Sequence, residues 1–429
     1  RIFLCSQRYF INDAFYKPGG PVFLNIGGPE TACESWISMN NTWVTYAERL
    51  GALFLLLEHR FYGHSQPTGD LSTASLRYLS SRQALADIVN FRTKIAKKMG
   101  LTENKWVAFG CWYGGFLAAW SRIKYPELFA AAVGSSAPMQ AKANFYEYLE
   151  VVQRSLATHN SECFQTVKEA FKQVVKMMKL PEFYNCVALY RTGQVPAKDL
   201  SKLIAEIYVP SIVLISHPHI LERSSYSPLC YKELCVMVIT TGKGQGSNTT
   251  DYLNARSRTQ KDSIGDLGER SCSQRMTEDV GMMRHRGIKM SRASYRQQFY
   301  QFCTEFGFFQ TTDSKNQPFT GLPLSYFVQQ CSDFFDPKFN YDSLKKGVKS
   351  TNAYYSGFKV TGSKIIFPNG SFDPWHVLGI PKDITKDLPA VFIKGAGHCA
   401  DLYKQKDIDS TELIQARERI FQILQKWLK

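Results

Sequence analysis

The sequence predicts an α/β fold, with a parallel sheet covered by helices on both faces and split by a mainly helical insertion. Three observations carry this expectation. Apolar runs of strand length alternate with helix-spaced segments over the first ~140 residues, the pattern left by crossover connections between parallel strands. The run over residues 106–120 breaks at glycines and resumes as a small-residue helix, which reads as strand, sharp turn and helix. Strand signals then fade after Phe145 and return at Ser363, dividing the chain into residues 1–142, an insertion over 143–340, and residues 341–429.

The elements follow in order. The first ten residues read as a strand and not as an apolar leader, so the numbering is expected to begin inside a longer precursor. Residues 21–26 form a buried-type strand ending in Gly27-Gly28, and such an ending lets backbone N–H groups approach a ligand. Residues 51–57 are apolar at consecutive positions, as a strand covered on both faces must be. They lead into a polar loop that holds two further histidine candidates, His59 and His64. Residues 83–99 place Leu85, Ile88, Val89, Ile95 and Ala96 at helical spacing ahead of a stop at Gly100. After the 106–120 unit, residues 128–133 read as another strand. Within the insertion, residues 146–156, 164–178 and 200–208 read as helices and 243–248 as an exposed loop. Strands at 363–367 and 390–394 restore the earlier pattern, and a last helix from Thr411 carries its apolar residues on one stripe.

With 429 residues and 44% hydrophobic content, the chain can bury a sizeable core. No apolar run reaches the roughly 18 residues a membrane-spanning helix needs. Lys and Arg number 52 against 37 Asp and Glu, a net charge of +15, but the basic residues are scattered and no binding motif accompanies them. They read as solvated faces, and no nucleic-acid partner is expected. The 11 cysteines lack paired Cys-x-x-Cys spacing and a neighbouring histidine cluster, so neither a metal nor a cofactor is expected. Their density in the middle third points to disulfides, with at least one thiol left over from the odd count. Sequons at Asn40 and Asn248 point the same way, towards glycosylation and a secreted or lysosomal route.

The 106–120 unit has the form of the nucleophile elbow of an α/β-hydrolase, in which glycines on either side of a strained residue let its side chain project over the sheet edge. Gly110 and Gly114 supply that frame, and the residue between them, where G-x-S-x-G has serine, is Trp112. An indole has no nucleophilic oxygen. Asp373 and His398 each follow a predicted strand, in the order elbow, acid, histidine that this fold uses. The carboxylate would fix the imidazole tautomer, and the imidazole would take the nucleophile's proton.

The stretches Ser6-Gln7-Arg8-Tyr9-Phe10, Glu58-His59-Arg60-Phe61-Tyr62-Gly63, Ser80-Ser81-Arg82-Gln83-Ala84-Leu85-Ala86-Asp87, Ser135-Ser136-Ala137-Pro138, Cys303-Thr304-Glu305-Phe306-Gly307 and Asn369-Gly370-Ser371-Phe372-Asp373-Pro374-Trp375-His376 carry a resemblance. Together they resemble the family of prolyl carboxypeptidase, dipeptidyl peptidase II and thymus-specific serine protease, nearest the thymus-specific branch and over nearly the whole chain. The resemblance implies a lysosomal or secreted serine exopeptidase acting on peptides, commonly at proline, built as an α/β-hydrolase with a helical cap. It places the triad acid on Asp373 and the triad base on His398. The family's elbow reads G-G-S-Y-G-G, so its serine aligns with Trp112 and a glycine with Cys111. Its G-G-E-G loop is here Gly27-Gly28-Pro29-Glu30, and Pro29 has no N–H to donate. Oxyanion donors then fall on Tyr113 and Gly28, Cys111 is the alternative nucleophile, and Glu305 and Asp333 are candidate contacts to a bound peptide. The partner expected is a peptide, with a homodimer as the assembly carried alongside. The reading that follows is a peptidase homologue with little or no activity. An active serine peptidase is the alternative, should the tryptophan be a sequence error or Cys111 attack in its place.

Overall fold

The computed structural model describes residues 6–38, 41–159, 165, 168–169 and 294–429. Asn40, Asn248 and the expected helices at 164–178 and 200–208 therefore fall wholly or largely outside the described residues. The chain divides into two compact units, one of residues 1–148, 286–310 and 327–429, the other of 149–285 and 311–326.

The larger unit is built on a seven-stranded sheet. Its strands are β1 (Tyr9–Asn12), β2 (Val22–Ile26), β3 (Leu53–Leu57), β4 (Trp106–Cys111), β5 (Ala131–Ser135), β8 (Ile365–Gly370) and β9 (Ala390–Ile393), in the spatial order β1-β3-β2-β4-β5-β8-β9. Every pairing is parallel except β1 with β3. β2, β3 and β5 are buried at every position, which is why, apart from Asn25 of β2, their residues are apolar or small. A short parallel pair, β6 (Lys142–Asn144) and β7 (Gly307–Phe309), lies apart from this sheet. Three residues are too few to leave a period in the sequence.

Several helices start or stop where their end groups are satisfied. In α1 (Thr42–Leu50), the Asn41 side chain accepts from Trp43 N and Gly51 closes the helix at φ 62°. After the single turn α2 (Thr73–Leu76), α3 (Ser81–Met99) begins two residues ahead of the 83–99 expectation, because the Ser80 side chain caps it by accepting from Gln83 N. α4 (Tyr113–Lys124) follows the elbow, and α5 is Glu147–His159. The later helices are α6 (Ser294–Gln301), α7 (Leu324–Phe334), α8 (Tyr341–Tyr355) and α9 (Thr411–Leu428). β5 starts three residues later than 128–133, since Leu128 and Phe129 N–H groups are spent on the carbonyl of Tyr125 and pairing to β4 begins only at Ala130.

Phe23, Phe54, Phe109, Val133 and Ile366 from the strands meet Trp43 and Val44 of α1 and Ile420, Phe421 and Leu424 of α9 in one buried cluster. Each such side chain contributes about 1.5–3 kcal/mol. The alternate strand residues Leu24, Leu55, Ala108 and Ala132 are equally buried and face the opposite side, where α3 and α4 pack together. Trp120 of α4 stacks flat on Tyr355 of α8, with ring centroids 3.3 Å apart. This is the α/β-hydrolase fold. Its parallel strands deliver six loops to one sheet edge, those after β2, β3, β4, β5, β8 and β9, at the carboxyl ends where sites of open α/β sheets assemble.

Two of the long motifs serve this scaffold. Glu58 is fully buried and accepts from Ala32 N (3.0 Å), His64 N (3.0 Å) and Ser65 Oγ (2.6 Å) while pairing with Arg8 (2.7 Å). Arg60 forks onto both oxygens of Asp87 at 2.5 Å, fastening the loop after β3 to α3.

Candidate active site

β4 ends in Gly110-Cys111, and Trp112 turns the chain into α4 at φ 49°, ψ −113°. A non-glycine residue in that region stores roughly 1–3 kcal/mol of strain and persists only where its surroundings hold it. Here Trp112 N–H donates to Ser135 O (2.9 Å), and its carbonyl accepts from Phe116 N (3.0 Å). The glycine frame is steric: a Cβ on Gly110 would lie 2.0 Å from Gly114 O, and one on Gly114 would lie 2.3 Å from Ile26 O. Gly110→Ala is therefore expected to cost about 3 kcal/mol or more, through a clash with backbone that cannot move aside. A urea midpoint equal to that of the parent would refute this account of the turn.

Asp373 and His398, 25 residues apart in the chain, meet at this edge. Asp373 is fully buried, and its Oδ1 accepts from Trp375 N (3.1 Å) and stands 3.1 Å from His398 Nδ1. Burial alone would raise this carboxyl, but the charge of His398 and the hydrogen bonds of His398, Ser136 and the Trp375 N–H together outweigh it and hold Asp373 below its usual value. The two loops are locked at Gly370, where a Cβ would sit 2.3 Å from Ala396 O. Ser136 joins them to β5, its Oγ accepting from Cys399 N at 2.9 Å. The pair has the geometry of an imidazole oriented by a carboxylate, competent to accept and return a proton.

The Trp112 indole packs edge-on against Trp375, with centroids 5.2 Å apart, and against Phe302 at 6.4 Å. Its buried Nε1 has no hydrogen-bond acceptor among the described residues. Pro29, Tyr62, Tyr113, Phe116, Gln301 and Phe308 join Trp112 around a narrow pocket of about 220 Å³, open solvent included. Gly28 lies beside the elbow, a Cβ there falling 3.8 Å from Gly114 N, so the loop after β2 and the start of α4 adjoin.

Three expected site residues are placed elsewhere or closed. Cys111 is bonded to Cys399, so it has no thiol with which to attack; nothing in the spacing of the cysteines betrays a partner 288 positions away. Glu305 is not among the residues lining the pocket: it is half-buried at the start of α3, accepting from Ser81 N (3.0 Å), Ser81 Oγ (2.7 Å) and Gln301 Nε2 (3.1 Å). Asp333 lies on the exposed side of α7, accepting from Gln329 one helical turn away. Of the remaining histidines, His64 is exposed, and burial pushes His59 down to about 3, leaving it neutral. Arg60 O can only accept, so His59 Nδ1 donates to it (2.6 Å) and Nε2 receives the Tyr113 hydroxyl (2.9 Å). Gln301 in turn donates to Tyr113 and accepts from Tyr62 (2.7 Å), a buried network behind the elbow that no local pattern announces.

Burial raises the Glu305 carboxyl, with the Ser81 and Gln301 hydrogen bonds opposing but not cancelling it. A raised folded value means that its contribution is fully present below the unfolded value and is lost as pH rises through the folded one. The stability difference between the parent and Glu305→Gln is thus expected to move against the parent from pH 4 to pH 7. Parallel urea midpoints across that range would contradict it.

The comparisons with known proteins agree with this architecture. The family model for serine carboxypeptidase S28 matches residues 3–420. The thymus-specific serine protease of Mus musculus is 35% identical over 432 residues, covering 99% of this chain and 84% of its own length. That of Homo sapiens is 34% identical over 430 residues, covering 99% and 83%. The lysosomal Pro-X carboxypeptidase of Homo sapiens is more distant, at 26% over 447 residues, covering 99% and 84%. With the elbow, the Asp373–His398 pair and a family match over almost its whole length, the chain belongs to the serine carboxypeptidase S28 family of peptidases.

Proposed function

We propose that this member of the family binds peptides but turns them over poorly or not at all. The observation that carries the reading is Trp112 itself, held in the strained elbow conformation with its indole packed on Trp375 and Phe302. By the spacing of the motif, this is the position from which the family's serine attacks. An indole there offers no electron pair to a scissile carbonyl and takes up the space that carbonyl would need. Asp373 and His398 would then be the remnant of a triad, and the N–H groups of Tyr113 and Gly28 the remnant of an oxyanion hole.

An active serine-type peptidase is the second reading, favoured by 35% identity to a serine protease. It needs another nucleophile. Cys111 is closed by its disulfide, Ser135 Oγ is bonded to the Asp401 carboxylate, and Ser136 Oγ accepts from Cys399 N. A serine-directed phosphonate with a proline-containing peptide recognition arm separates the two readings. The pseudo-peptidase reading expects no covalent adduct, and a stoichiometric adduct would overturn it.

A lysosomal or secreted location is proposed with this function. It is supported by two disulfides, which belong to oxidising compartments, and by the name of the Pro-X relative. Asn40 and Asn248 are the proposed glycan sites, and the insertion over 143–340 is read as the helical cap of such enzymes.

A further inference from the structure

Two disulfides lie among the described residues, in unlike surroundings. Cys303–Cys331 is buried at both ends, 1% and 2% exposed. Cys111–Cys399 joins the residue before Trp112 to the residue after His398. Both of its sulfurs and a His398 ring nitrogen lie within 4.8 Å of one another. Its two ends also differ, since Cys111 is half-buried while Cys399 is 2% exposed. Cys111, packed on the edge of the core cluster, is the less buried end, so a small thiol reaching the bond meets it first, and the sulfur it expels is Cys399, beside an imidazole already oriented by Asp373.

We propose that Cys111–Cys399 is a thiol–disulfide exchange site for low-molecular-weight thiols, with His398 stabilising the thiolate that leaves. In the first step a thiolate attacks Cys111 Sγ and a mixed disulfide forms. The Cys111–Cys399 bond breaks, its electron pair passes to Cys399 Sγ, and protonated His398 neutralises that thiolate. In the second step another thiolate attacks the small-molecule sulfur of the mixed disulfide. The small-molecule disulfide departs, and Cys111 is left as a thiolate that takes a proton from water. Two thiols are oxidised to one disulfide while the protein's disulfide is reduced to two thiols. Exchange is faster when the leaving sulfur is stabilised as a thiolate, and a neighbouring imidazolium does this. Opening the bond also detaches the strand end before Trp112 from the loop that holds His398.

The test uses the intact protein in glutathione buffers of graded reduced-to-oxidised ratio, with acid quench, alkylation and mass spectrometry of each cysteine. With the far-UV spectrum unchanged, Cys111–Cys399 is expected to open about tenfold faster than Cys303–Cys331, and His398→Gln to slow it by about tenfold without altering the other pair. The proposal is overturned if both pairs open together, if opening occurs only as the fold melts, or if His398→Gln leaves the rate unchanged. Should His398→Gln fail to fold, Asp373→Asn takes its place. Asp373→Asn withdraws the charge that supports the imidazolium, and a rate equal to the parent's would likewise overturn the assignment.

Discussion

Trp112→Ser is expected to convert a silent protein into a peptidase, raising turnover of Xaa-Pro or Pro-Xaa peptides by at least ~10³-fold. Removing the nucleophile of a serine protease costs about 10⁶ in kcat, so even a partly competent scaffold leaves that margin. The grounds for competence are geometric. The elbow backbone is in place at φ 49°, the carboxylate of Asp373 stands 3.1 Å from His398 Nδ1, and Gly28 adjoins the start of α4. The substitution also empties the volume filled by the indole. It gives up the ring contacts to Trp375 and Phe302, at a cost of about 1–3 kcal/mol. Turnover by the parent on the same peptide panel would sink the pseudo-peptidase reading. A folded but silent variant would show instead that the scaffold has lost more than its nucleophile.

The second large effect belongs to Asp373. In the Trp112→Ser background, Asp373→Asn is expected to lower kcat by about 10⁴, because an amide no longer selects the imidazole tautomer that accepts the serine proton. In the parent background the same change acts on stability. Removing the charge of a buried pair costs about 3–5 kcal/mol, and the Asp373 carboxylate is fully buried against His398. The sign with pH follows from a folded value held below the unfolded one, about 3.9. The stabilisation is complete above the unfolded value and is lost as pH falls through the folded one. The parent's advantage over Asp373→Asn should therefore hold at pH 6 and shrink steadily below about pH 4 in urea titrations. An advantage independent of pH would mean that shape, not charge, sets the contribution of Asp373.

Much of this molecule was legible in one dimension because its signals are local. A strand covered on both faces is apolar at nearly every position, so β3, and β2 apart from Asn25, announce themselves. A turn that brings backbone to within 2.0 Å and 2.3 Å of where a Cβ would stand admits only glycine, so Gly110 and Gly114 mark the elbow whatever residue lies between them. Parallel strands carry their loops to one edge, so Asp373 and His398, each just past a strand, were bound to share it. What remained hidden depends on pairs of residues far apart in the chain. The Cys111–Cys399 bond spans 288 positions, and a cysteine carries no local mark of its partner. Glu305 sits in a motif that travels with peptidases, yet its carboxylate is hydrogen-bonded to Ser81, 224 residues earlier, and is not among the groups lining the pocket. His59 became the neutral anchor of Tyr113 only through burial, which periodicity does not report for a single polar residue. The sequence by itself determined the sheet, the elbow and the order of acid and base, because each is imposed by backbone sterics and burial within a few neighbouring residues. The tertiary structure alone decided which side chains meet, because hydrogen bonds and disulfides are settled by ångström-scale proximity between segments whose separation along the chain carries no such information.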